Sequence, residues 1–97
     1  MSFILKSEAP SGVVGKYWRI KEIVLDIVSQ NSAVLVCQYL DAQAFAGKKT
    51  PLQEKLFRFD GDDFPFTDEA IAKASVVVLA YKKLMGLDQF KGAKDVE

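Results

Sequence analysis

The chain has no histidine and a single cysteine, and its charges cancel: 13 Lys and Arg stand against 13 Asp and Glu. Each absence removes a class of chemistry. Without histidine the chain lacks the commonest general base and the commonest metal ligand. One cysteine allows no internal disulfide and no Cys-based zinc cage. Zero net charge argues against a duplex nucleic-acid binder, which relies on excess Lys and Arg. The longest apolar run, Val76 to Tyr81, is six residues, against the about 20 that a membrane helix needs. No apolar stretch follows a basic start at the N-terminus, so no signal peptide is expected.

What is present is apolar content, 49 % of 97 residues, which predicts one folded domain over residues 1–97. Residues 16–28 are rich in β-branched and aromatic side chains and predict a strand. Its alternation breaks: Trp18 and Ile20 share one parity, Ile23, Leu25 and Ile27 the other. A bulge near Lys21-Glu22 would bring all five to one face; without it both faces are partly apolar. After the polar break Ser29-Gln30-Asn31-Ser32, residues 33–40 read as a second strand, apolar on both faces. Residues 52–59 read as a third. Phe57 and Phe59 share one face of it, and Leu52 and Leu56 share the other with Glu54 and Arg58.

Asp41 and Gly47 bracket a short helical turn between the second and third strands. Thr67 as N-cap, with Asp68 and Glu69 in the first turn and Gly86 after Lys82-Lys83, predicts one helix over 68–85. Residues 1–15 read as an arm or loop, in which Phe3-Ile4-Leu5 would be a short strand or docking tail. Residues 88–97 read as a tail anchored by Phe90. The expected fold is therefore α+β: a small antiparallel sheet of three to four strands against one C-terminal helix.

The candidate sites are sparse. Cys37 lies in the apolar run 33–37 and reads as a small buried hydrophobe, since a nucleophilic thiol wants a His or cationic partner. Residues 60–69 hold five acids and no base, but a calcium loop starting at Asp60 would have Phe64, Pro65 and Ile71 at positions five, six and twelve, so that motif fails. A small carboxylate-dependent enzyme would need two converging acids near Asp60–Asp63. Gly12-Val13-Val14-Gly15-Lys16 has the wrong gap, and a strand behind it, for a phosphate loop. Lys16, Tyr17, Trp18 and Arg19 interleave base and aromatic as single-strand nucleic-acid binders do, diluted by Glu22 and Asp26. No cofactor site is read.

Several segments together resemble a known group: 12–20 (GVVGKYWRI), 36–42 (VCQYLDA), Pro51-Leu52, 80–84 (AYKKL) and 90–96 (FKGAKDV). They resemble small proteins encoded among the tail, baseplate or tail-fibre genes of tailed bacteriophages and prophages. That resemblance carries no catalytic motif. It implies a structural or assembly subunit, in the bacterial host cytoplasm or the virion, whose partners are itself or other virion and tail-assembly proteins. Large aromatic and apolar side chains dominate such contacts, which makes Trp18, Tyr39, Phe45, Leu79 and Phe90 the candidate interface residues.

Overall fold

The computed structural model describes residues 2–96. The chain is α+β. Its strands are β1 (Ser2–Glu8), β2 (Val14–Asp26), β3 (Asn31–Tyr39), β4 (Gln53–Arg58) and β5 (Lys94–Val96). Its helices are α1 (Ala42–Ala46), α2 (Asp68–Lys73) and α3 (Val76–Met85). The five strands form one antiparallel sheet in the order β4-β3-β2-β1-β5. Among the described residues no helix is long and apolar enough to cross a membrane.

The chain ends differ from the sequence reading. The arm expected over 1–15 is largely β1, paired along β2, with Phe3 fully buried. The tail expected over 88–97 carries β5, which pairs with β1, and a 3-10 turn that buries Phe90. Apolar anchors in both segments draw them onto the sheet and raise it from the expected three or four strands to five. Met1 and Glu97, the outermost residues of arm and tail, lie outside the described residues.

The long strand resolves its parity conflict with a bulge. Ile20 pairs with Val36 and Glu22 with Leu35, so Lys21 is the extra residue. Trp18, Ile20, Ile23 and Leu25 thereby all join the core on one face of the sheet. Ile27 lies past the end of β2 and is exposed. The Ile20 amide donates to the Tyr81 hydroxyl at 3.0 Å, which ties the bulged region to α3. A second irregularity lies in β1 between Ile4 and Ser7. There the Leu5 carbonyl accepts the Trp18 indole N–H at 2.9 Å, so a buried Trp keeps its polar atom satisfied.

The expected single helix over 68–85 is two. Ala74 is extended, and Ser75 caps a new helix by accepting from the Val78 amide at 3.2 Å. A serine side chain competes for helical backbone donors, and the following Val76-Val77-Val78 run has only modest helix propensity. Thr67 caps α2 as the sequence predicts, accepting from Ala70. Ala80, Tyr81 and Leu84 of α3 enter the core with Phe3, Trp18 and Val36.

At the other end of the sheet the buried Gln38 stitches the strands together. Its Nε2 donates to the carbonyls of Ser7 (2.8 Å) and Gly15 (3.0 Å), and its Oε1 accepts from Gln53 Nε2 at 2.6 Å. Gly15 allows this close approach. A Cβ there would lie 2.6 Å from Leu52 Cδ1 and 2.8 Å from the Tyr39 carbonyl oxygen.

Candidate interaction surface

Strand alternation gives the sheet two unlike faces. One carries Trp18, Val34, Val36 and Phe57 into the core beneath the helices. The other carries Tyr17, Arg19, Glu22 and Val24 of β2, Ala33, Leu35, Cys37 and Tyr39 of β3, and Glu54, Leu56 and Arg58 of β4.

This second face has three zones. The first is closed by α1. Asp41 caps that helix by accepting from the Ala44 amide at 2.8 Å. Phe45 then lies with its ring 5.7 Å from Tyr17 and 5.3 Å from Tyr39, and the Arg19 guanidinium sits 4.3 Å above Phe45. The second zone is polar. Glu54 Oε2 accepts from Lys21 Nζ at 3.0 Å and from Cys37 Sγ at 3.5 Å. The third zone is apolar and open. Val24 is 56 % and Leu56 61 % exposed, with Ala33 and Leu35 half-buried between them.

The polar zone sets the titration of its members. Burial, and then the Glu54 carboxylate, push the Cys37 thiol from its ordinary value of 9.0 up to about 11. The hydrogen bond to Glu54 raises Lys21, and Lys21 in turn lowers Glu54. Burial and the neighbouring Cys37 raise Tyr39. A thiol protonated at neutral pH and 1 % exposed is no nucleophile.

A pH dependence follows. The folded state holds the Cys37 proton more tightly than the unfolded chain does. Its contribution to stability is intact below pH 9 and is lost as pH rises through about 11. Lys21 and Tyr39 share that sign. Tyr17 opposes it: burial would raise its phenol, but hydrogen bonds with Ser2 and Arg19 bring it below its ordinary value. Cys37→Ala removes the thiol together with its smaller influence on Lys21 and Tyr39. Urea unfolding of both proteins across pH 9–11 is expected to show the wild type losing on the order of 2 kcal/mol more than the variant.

The pleat separates the sequence-predicted residues. Trp18 and Phe90 are 1 % and 2 % exposed core side chains and have no surface to offer a partner. Trp18 stacks on Phe3 instead, and Phe90 meets both rings edge-on. Tyr39 and Phe45 are half-buried together on the second face, and Leu79 is half-buried against the core from α3. The basic-aromatic run is split as well. Trp18 points into the core, Tyr17 lies under Phe45 on the other side, and Arg19 is occupied by Phe45, so no shared platform for stacked bases forms. In the acidic loop, Asp60 accepts from the Ser32 amide (3.0 Å) and pairs with Arg58 (3.4 Å), and Asp63 lies 3.7 Å from Lys83. Among the described residues no group of three or more Cys, Asp or Glu comes together as a metal site. Hollows of about 290 and 440 Å³ flank α1, and one of about 310 Å³ lies by Tyr81; each holds a single carboxylate, Asp41 or Glu22.

The sequence reading missed the Cys37–Glu54–Lys21 group, because cross-strand register is not visible in a single strand. It also passed over Val24. The parity shift at Lys21 sets Val24 beside Glu22 and Asp26, on the face away from the core. Compared with protein-family models, curated proteins and solved structures, the chain matches none.

Proposed function

We propose that the chain is a non-enzymatic structural or assembly subunit that works by protein–protein association. Second copies of itself are its first partner, and other virion or tail-assembly proteins are further partners, as the resemblance to phage and prophage tail-region proteins implies. One observation carries the reading: the sheet spends one face on its own core and leaves an apolar zone, Val24, Ala33, Leu35 and Leu56, open on the other. Burying such surface stabilises an assembly by about 25 cal/mol per Å², and copies of one chain generally associate with closed symmetry. Light scattering behind a sizing column tests it. The mass is expected to rise above the monomer's 10.8 kDa as concentration increases through the micromolar range. A strict monomer throughout would overturn self-association.

A further inference from the structure

The association reading leaves open how two copies meet, and the sheet's edges bear on that. β5, at one edge, is three residues long. β4, at the other, is six residues long and pairs with β3 through consecutive positions with no irregularity. Chains that keep an edge solitary blunt it with bulges, prolines or charge. β4 has no bulge and no proline; Lys55 lies back over the Trp18 ring at 5.9 Å, and the charges left on the edge, Glu54 and Arg58, are of opposite sign.

The backbone shows which groups this edge offers. The Phe59 amide donates to the Ser32 carbonyl at 3.1 Å. By antiparallel alternation Phe57 and Lys55 also bond inward to β3, so Glu54, Leu56 and Arg58 direct their N–H and C=O outward. These are the same three residues whose side chains stand on the open face. Their order is acid, apolar, base, which complements itself when reversed.

We propose that two copies join edge to edge through β4, antiparallel and centred on Leu56, to make one continuous sheet. This deepens the association reading and rests on it. In that register Leu56 meets Leu56 of the second copy, and each Glu54 meets Arg58 of the other. The outward amides and carbonyls of all three positions pair. Glu54 uses Oε2 for Lys21, and Arg58 uses Nε for Asp60, which leaves Oε1 and the Nη groups for the new pair. Beyond the strands, Lys48 and Lys49 precede each β4, and Asp60, Asp62 and Asp63 follow it. Antiparallel pairing therefore sets basic against acidic segments at both ends. The two open apolar zones become one, joined at Leu56.

A charge-swap series on the full chain tests the register. Glu54→Arg sets Arg opposite Arg, and Arg58→Glu sets Glu opposite Glu. Each is expected to weaken the dimer about tenfold or more, and the double variant to restore it. Both positions are exposed, and circular dichroism with urea melting confirms that each variant folds. An independent measurement uses oxidative cross-linking. Opposed residues of a hydrogen-bonded pair have Cα atoms about 5.5 Å apart, within disulfide reach. Leu56→Cys is expected to yield a covalent dimer, and Val24→Cys, on an interior strand of the same face, is not. A wild type that associates but is indifferent to the single swaps and forms no Leu56→Cys dimer overturns β4 pairing and leaves association standing. Loss in the single swaps without rescue in the double overturns the register. A strictly monomeric wild type overturns both readings.

Discussion

Replacing Trp18 with alanine is expected to cost about 3–5 kcal/mol. For a domain of this size the whole folding free energy is about 5–15 kcal/mol, so this one side chain accounts for a large share of it. Several contacts converge on this one side chain. The indole stacks on Phe3 with centroids 6.0 Å apart and planes within 3°, meets Phe90 edge-on at 5.2 Å, and donates to the Leu5 carbonyl. It joins β2 to β1 and to the 3-10 turn that ends in Phe90. Truncation opens a cavity between elements far apart in sequence and leaves that carbonyl without its indole donor. Urea unfolding followed by far-UV circular dichroism reads the loss. A change below about 1 kcal/mol would show that this core is not the one described. The cost also separates two roles for an aromatic. A Trp that served a partner would be dispensable to the isolated chain, whereas Trp18, 1 % exposed, is expected to be needed for folding.

Two one-residue deletions in β2 are expected to behave oppositely, although they shorten the strand equally. Deleting Lys21 removes the bulge. Ile20 still faces Val36, Glu22 still faces Leu35 and Ile23 still faces Val34, so every core side chain stays on its face. The loss is the exposed pair with Glu54 and some local twist, about 1 kcal/mol or less. Deleting Arg19 removes a residue between Trp18 and Ile20. The bulge can absorb the change only by turning Ile20 outward and Lys21 into the core against the fully buried Val36. Putting a lysine at the half-buried core position of Ile20 and losing the Ile20–Tyr81 bond costs about 2 kcal/mol or more. Arg19→Ala, which keeps the register, separates the deletion from loss of the guanidinium on Phe45. Urea midpoints of the three variants decide it. Equal losses in both deletions would mean that the bulge does not set the register.

The elements legible in the sequence are those written in local chemistry. The parity conflict in residues 16–28 marked the place where a bulge would restore one apolar face, because side-chain facing has a period of two, and the register chose the bulge over a strand apolar on both faces. Thr67 announced a helix start because its hydroxyl takes a first-turn amide. Ser75 carries the same chemistry, yet apolar residues on both sides of it read as one continuous stripe and hid the second cap. The chain ends were legible only in part: residues 3–5 allow a strand and Phe90 an anchor, but neither segment shows that it pairs into the sheet. Phe3 and Phe90 lie in short segments with little periodicity, and only the core they fill shows why those segments are ordered.

The candidate surface was legible in part. Leu56 between Glu54 and Arg58 marked a mixed face on residues 52–59. Choosing interface residues by aromatic size failed at Trp18 and Phe90, because a core and a contact surface draw on the same side chains.

By itself the sequence determined that the chain folds, that it mixes strands and helices, that histidine-based chemistry is closed to it, and where a bulge in β2 would fall if there is one. All of these follow from residue type and short-range spacing. The tertiary structure alone decided which aromatics are spent inside, that the ends complete the sheet, that Cys37 meets Glu54, and that β4 is the long uncovered edge. Those depend on strand order and register, which are set when distant segments compete to cover one apolar face.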